Sequence, residues 1–308
     1  MDISVIIPTL QADRFLSSLL LNLTNQTIIP SEIIIIDSSS SDKTVKIARE
    51  FQCIVSTIKR NQFRHGHARN LGARLAHGEI LVFMTQDALP VNPQFLAEIV
   101  RPIQEGWAQA ATARQIPYDS ANTIEKLSRK FNYPEQSNLR NWQDTAEMGI
   151  KAVFFSNTAS AIDQDVFLRL GGFSENVIVD EDLEFCARML RAGYSVAYQS
   201  RAIVYHSHNY SLSQLFRRYF DIGVFFRQAR NTLYDIPIYN EGRKYISQSI
   251  QSLVTQNDLH WIPRFMVESI VKYFAFRLGL GYRFIPYSVK HHLSGQAYFW
   301  EESSRGKK

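Results

Sequence analysis

The sequence predicts an open, doubly wound α/β sheet followed by a helical C-terminal region. Three observations carry this. Ile3 to Pro8, Glu32 to Asp37 and Glu79 to Met84 are short, nearly continuous apolar runs, the pattern of strands covered on both faces. Between them apolar residues recur at helical spacing, so strand and helix alternate. From about Ser211 onward the chain changes to long helical segments dense in Phe, Tyr and Arg.

The first strand is ended by Pro8, and Phe15, Leu16, Leu19, Leu20 and Leu23 then mark one face of a helix. The second strand stops at Asp37 and a Ser-rich turn, where Ser41 to Thr44 offers capping residues for a helix carrying Val45, Ile47, Ala48 and Phe51. A third strand is expected at Cys53 to Thr57, a polar basic loop at Lys59 to His67, and a helix at Ala68 to Ala76. The fourth strand, EILVFM, runs into Thr85-Gln86-Asp87. In open α/β sheets ligands bind at the carboxyl ends of strands, so Asp37 and Asp87 are expected to face one crevice. A helix over Gln94 to Pro102, an irregular stretch from Tyr118 to Gly149, a strand over Ala152 to Ile162 and a helix from Leu183 to Ala192 closed by Gly193 complete the reading.

Composition narrows the function classes. A chain of 308 residues with 45% hydrophobic residues can bury a full core. A net charge of +5 without a basic motif does not point to nucleic acid. Cys53 and Cys186 lack metal-ligand spacing and sit among apolar neighbours, as small buried hydrophobes in a reducing compartment do. Met1 to Leu10 has no basic segment ahead of its apolar run, and no stretch reaches the roughly 18 uncharged apolar residues of a spanning helix. The expectation is a cytoplasmic protein that is soluble or works at the inner face of the cytoplasmic membrane.

VIIPT at 5 to 9, IIIID at 33 to 37, RNLGA at 69 to 73, TQDA at 85 to 88, GGF at 171 to 173, DEDLEFCARMLRAGY at 180 to 194 and YHSH at 205 to 208 occur in this order. Singly they are weak, but together they have a specific spacing. Over roughly the first 210 residues the chain resembles the family 2 glycosyltransferases, and within them the rhamnosyltransferase-like members, which carry a segment similar to Phe63 to Asn70, FRHGHARN. The resemblance implies the GT-A fold, a doubly wound mixed sheet that binds a nucleotide-diphospho-sugar. It implies a catalytic domain over 1–210, with a nucleotide half to about 115 and an acceptor half beyond, and a helical, aromatic-rich extension over 211–308.

By the same resemblance Asp37 receives a hydrogen bond from the imide of a pyrimidine base, with Pro8, Thr9 and Ser38 lining that pocket; a turn-forming Asp is the alternative. Asp87 matches the last carboxylate of the family's DxD metal motif. Here the motif reads Thr85-Gln86-Asp87, so only one of its two acids is present, with Gln86 on the donor side. A single carboxylate suffices for Mg²⁺ or Mn²⁺ when diphosphate oxygens and water complete the shell. Arg69 has the planar fork to meet phosphate or a neighbouring carboxylate, and Asn70 is placed with the donor or as a loop anchor. His65 and His67 are expected to contact donor or acceptor, or to be solvated. Glu181 and Asp182 match the acidic pair of the acceptor site, with Asp182 as the base that takes the acceptor hydroxyl proton; a solvated helix N-terminus would also explain Asp180. His206 is the candidate for a metal or diphosphate contact, with His208 its alternate.

The reading that results is an inverting transferase, moving rhamnose from dTDP-rhamnose to a glycan or lipid-linked acceptor. A UDP-hexose donor, or a non-catalytic nucleotide-sugar-binding module, is the alternative. A nucleotidyltransferase would show a Gly-rich basic loop after the first strand, which Leu10 to Arg14 is not. The aromatics and cations after Leu212 fit either a membrane interface or helix cores packed on the sheet.

Overall fold

The computed structural model describes residues 1–238 and 241–305; the remaining residues of the expected 211–308 extension lie outside the described residues. The strands β1 (Ile3–Thr9), β2 (Glu32–Asp37), β3 (Ile54–Thr57), β4 (Ile80–Met84), β5 (Leu89–Pro90), β6 (Ala110–Ile116), β7 (Asn138–Arg140), β8 (Ala159–Asp163) and β9 (Val196–Tyr205) form one sheet. Its order is β3-β2-β1-β4-β8-β6-β9-β5, with β7 also on β9. The first four in that order run parallel, and β8 is antiparallel to both β4 and β6. The sheet is therefore mixed, as expected.

Alternation along each strand explains the continuous apolar runs. In β1, Val5 and Ile7 point to one face, where Leu16, Leu19, Leu20 and Leu23 of α1 (Asp13–Thr24) and Ile99 and Val100 of α4 (Phe95–Gln104) cover them, and Ala48 of α2 (Thr44–Glu50) joins the same core. Ile6, Ile34, Ile36 and Phe83 point to the other face. They meet Ala68 and Ala73 of α3 (His65–Leu75), and beyond it Phe167 and Phe185.

Between β6 and β9 lie α5 (Thr123–Asn132), the short α6 (Thr145–Met148) and α7 (Gln164–Arg169), and then α8 (Glu181–Arg191). Three expectations are corrected here. The stretch expected to be irregular contains α5, opened by Asn122, whose side chain accepts from the Glu125 backbone N–H. The strand expected over Ala152 to Ile162 is confined to β8; Ala152 and Phe154 donate to carbonyls three residues back, so the first part of the run turns. His65 to His67 is not a loop but the first turn of α3, where Gly66 lets the helix approach the Ser174 carbonyl, which a Cβ would meet at 2.3 Å.

Helices α9 (Leu212–Gln228), α10 (Arg230–Leu233), α11 (Glu241–Thr255), α12 (Ile262–Leu280), α13 (Tyr287–Leu293) and α14 (Ala297–Arg305) complete the described chain. Phe220, Val224 and Phe225 of α9, Ala275 of α12 and Trp300 of α14 are buried in the same core as Ile6 and Phe83. The aromatics of this region thus divide: Phe220, Phe225 and Phe265 are buried, and Tyr273, Phe274 and Phe284 are exposed. Helices α9 and α12 cross in backbone contact at Gly223 and Gly279, whose Cα atoms leave no room for a side chain on either helix. No described helix is long and apolar enough to cross a membrane.

Candidate functional site

Strand pairing brings the residues of the site together. The two-residue β5 places Leu89 opposite Tyr205 at the end of β9. Asp87, two residues before Leu89, and His206, one after Tyr205, therefore meet. Asp87 Oδ2 lies 3.6 Å from His206 Nε2 and 3.4 Å from His208 Nε2, and the two imidazole nitrogens are 3.0 Å apart. One ligand atom from each of the three lies within 4.8 Å of the others, the only such cluster among the described residues. Two imidazoles and a carboxylate converging on one point suit a divalent ion.

The surroundings prepare these groups for a cation. His206 Nδ1 is 2.9 Å from Gln115 Oε1, so it donates its proton there and Nε2 keeps a lone pair. Gln115 Oε1 also accepts from Arg129 Nη1, and Arg129 Nε donates to Glu125 at 2.7 Å, which fixes the orientation of the amide. Burial, then His206, pushes His208 down to about 4, so it is neutral. Burial alone would raise the Asp87 carboxyl, but in the acid range, where the imidazoles are protonated, the hydrogen bond and charge of His206 and the charge of His208 outweigh it and hold Asp87 well below the usual range. The residues fit the ion expected at Asp87 and His206, and His208, kept as the alternate, completes the set.

The second group of charges opens α8. Glu181 is buried, paired with Arg69 Nη1 at 2.7 Å, and accepts from Asn157 Nδ2 at 3.3 Å. Burial opposes ionisation, but Arg69 and His65 overcome it and lower the Glu181 carboxyl. Asp182 has no such partner. It accepts from the Asn157 and Leu183 backbone N–H groups at 2.8 and 2.9 Å, and burial followed by the charges of Glu181 and Asp180 pushes it up to about 7. Asp180 stands in the left-handed region, φ +55°, which turns the chain into α8. A carboxylate raised to neutral pH beside one held ionised is the arrangement that separates a base from its supporting charge.

A cavity of about 400 Å³ has Pro8, Thr9, Ser38, Arg69 and Gln86 in its wall; Asp87, His206, His208, Glu181 and Asp182 do not line it but adjoin wall residues. Gln86 precedes Asp87, and Arg69 leads to Glu181. The buried Ser38 Oγ and Arg69 Nε have no hydrogen-bond partner among the described residues, as polar atoms awaiting a ligand would. Gln86 also clamps Leu10, accepting from its N–H at 2.8 Å and donating to its carbonyl at 3.1 Å. Asp37 does not line the cavity. It is 1% exposed, and its oxygens accept from Thr9 Oγ1 at 3.1 Å and the Ser40 N–H at 2.8 Å, so it anchors the Ser-rich turn. Asn70 likewise faces away, exchanging bonds of 2.9 Å with the backbone of Phe173 to hold the GGF turn. His67 pairs with Glu175 at 2.9 Å, whereas His65 lines the cavity. The sequence reading missed Gln115 and Arg129, which reach the cluster from β6 and α5 and carry no motif of their own.

A family model described as glycosyl transferase family 2 matches residues 4–171. The chain is 35% identical over 303 residues to an O-antigen chain rhamnosyltransferase of Salmonella typhimurium, RfbN, covering 97% of this chain and 96% of that one. It is 37% identical over 279 residues to the O-antigen chain rhamnosyltransferase WbaN of Salmonella anatum, covering 89% and 88%. Among solved structures, the mannosyltransferase PcManGT of Pyrobaculum calidifontis, in complex with GDP-Man and Mn²⁺, superposes with a TM-score of 0.57 at 16% identity, over 99% of this chain and 79% of that one. Residues 1–349 of S. aureus TarS give a TM-score of 0.57 at 16% identity, over 100% and 92%.

Proposed function

The chain belongs to glycosyl transferase family 2, and from that premise we propose that it is an inverting rhamnosyltransferase of cell-surface polysaccharide synthesis, using dTDP-rhamnose as donor. The carrying observation is the contrast between two carboxylates beside one cavity: Asp87 held ionised among imidazoles, and Asp182 raised to about 7.

In this reading the cavity receives the nucleotide against Thr9 and Ser38. Asp87, His206 and His208 would hold Mg²⁺ or Mn²⁺, which when bound would supply positive charge to offset that developing on the leaving diphosphate. Asp182 takes the proton of the acceptor hydroxyl as its oxygen forms the new bond to the anomeric carbon and the bond to the diphosphate breaks on the opposite face. One displacement inverts the centre. Arg69 keeps Glu181 ionised, and Glu181 in turn raises the basicity of Asp182.

The acceptor in this reading is a glycan, carried on a lipid. Support for a membrane surface comes from the outer face of α12, where Val267, Ile270, Phe274 and Leu278 recur at three- and four-residue steps and are all exposed, with Phe284 92% exposed and Arg277 and Arg283 beside them. Flotation of the full chain with anionic liposomes tests this, and a chain that stays at the bottom of the gradient would refute it. The donor test is transfer from a panel of sugar nucleotides with Mg²⁺ or Mn²⁺, with the product anomer read by NMR. dTDP-rhamnose is expected to be used best and with inversion. Preference for a UDP-hexose would correct the donor, and a retained configuration the mechanism.

A further inference from the structure

The same cavity has a wall from the far end of the chain. Gly295, Gln296 and Tyr298 line it together with Pro8 and Gln86, although more than 200 residues separate them from the nearest motif of the donor half. Two anchors hold this strap. On α9, the buried Asp221 carboxylate accepts from Ser294 Oγ at 2.6 Å and from the Gly295 N–H at 2.8 Å, and Ser294 Oγ accepts in turn from the Gln296 N–H at 2.9 Å. At the start of α3, Arg64 Nη2 donates to the Tyr298 carbonyl at 3.2 Å, and the Arg60 guanidinium lies 5.7 Å from the Tyr298 ring centroid.

Hydrogen bonds thus hold the backbone of the strap at Gly295, Gln296 and Tyr298, while two of its side chains are left out of them. The Gln296 amide and the Tyr298 hydroxyl make no hydrogen bond among the described residues, and both belong to residues facing the cavity. Ser38 Oγ and Arg69 Nε, in other parts of the same wall, are also unpartnered. Donors and acceptors that no protein group satisfies therefore surround one volume on several sides.

We infer that Gln296 and Tyr298 are donor-contacting residues that determine the affinity for the sugar nucleotide, and that Asp221 is the positioning residue that holds them in place. The inference rests on reading the cavity as the donor site. A carboxyl side chain is suited to the second role, because its two oxygens accept at once from a hydroxyl and a backbone N–H and so fix a tight turn. The aromatic ring of Tyr298 offers a stacking surface for a base or sugar face, and the Gln296 amide offers an NH₂ group to donate and a carbonyl oxygen to accept.

Full-length wild-type, Gln296→Ala, Tyr298→Ala, Asp221→Ala and Ser294→Ala enzymes are compared by calorimetry with dTDP and UDP, and by steady-state kinetics with the preferred donor. Loss of one ligand contact is worth about tenfold in affinity. Gln296→Ala and Tyr298→Ala are therefore expected to raise nucleotide Kd and donor KM about tenfold, with kcat at saturating donor within about twofold of wild type. Asp221→Ala is expected to reproduce that KM effect without touching ligand, and Ser294→Ala, the milder variant, to do so in part. Wild-type binding with unchanged Kd and KM in both Gln296→Ala and Tyr298→Ala overturns the inference alone. A wild-type enzyme that binds neither nucleotide overturns the reading of the cavity itself, and the inference with it.

Discussion

Two regions beside the cavity show how one fold gives the same side chain opposite electrostatic surroundings. Asp87 and Asp182 are both partly withdrawn from water, which by itself disfavours the charge on each. Asp87 ends among His206 and His208 and is held ionised. Asp182 ends beside Glu181 and Asp180 and is pushed up to about 7. Burial acts in the same direction on both, so the neighbours set which way each is shifted, and in the proposed function this separates the cation ligand from the base.

The sharpest way to break the comparison is to remove the basicity at one end. Asp182→Asn keeps the shape, and kcat is expected to fall about 10²–10⁴-fold while nucleotide affinity measured by calorimetry stays close to wild type. An equal loss in binding would place Asp182 with the donor instead. At the other end, Asp87→Ala removes the carboxylate from a three-ligand cluster, and direct Mn²⁺ titration is expected to show binding lost or weakened by more than 100-fold. Gln115→Ala leaves all three ligands but frees the His206 ring and its tautomer, for which about 10- to 100-fold weaker Mn²⁺ binding is expected. Unchanged affinity in Gln115→Ala would mean that the ring is oriented by other contacts.

The smallest effect concerns pH. As the proposed base Asp182 must be deprotonated to act, and it is raised to about 7, so kcat/KM is expected to fall about tenfold per unit on the acid side of an inflection near 7. Glu181→Gln removes a neighbouring negative charge and releases Arg69, and both changes favour ionised Asp182. The inflection is therefore expected to move to lower pH. A profile that stays in place would separate the two acids.

What was legible in the sequence follows the same division between local and distant causes. EIIIID and EILVFM announce strands because both faces of β2 and β4 are covered, and Asp87 is conspicuous because it follows such a run so closely. α5 was also within reach, since Asn122 followed three residues later by Glu125 is a helix-opening pattern. The start of α3 was not. No side chain caps it, and its first turn is set by the approach of Gly66 to Ser174, more than 100 residues away. Asp37 shows a related limit of local pattern: its place at a strand end is visible in the sequence, but its engagement by Thr9 and Ser40 is not. Gln115, Asp221 and Gln296 reach their positions only through long-range packing, which no short motif records.

The crossing of α9 and α12 bears on all of this from a distance. A methyl group added at Gly279 would lie 2.1 Å from the Phe220 carbonyl, and one at Gly223 would lie 2.2 Å from the Phe276 carbonyl, so either addition must force the helices apart. Asp221 sits between Phe220 and Gly223, within one turn of that contact. The anchor that Asp221 offers to Ser294 and Gly295 is therefore carried by a helix whose seat on α12 tolerates no added side chain, so a distant backbone contact bears the strap of the cavity.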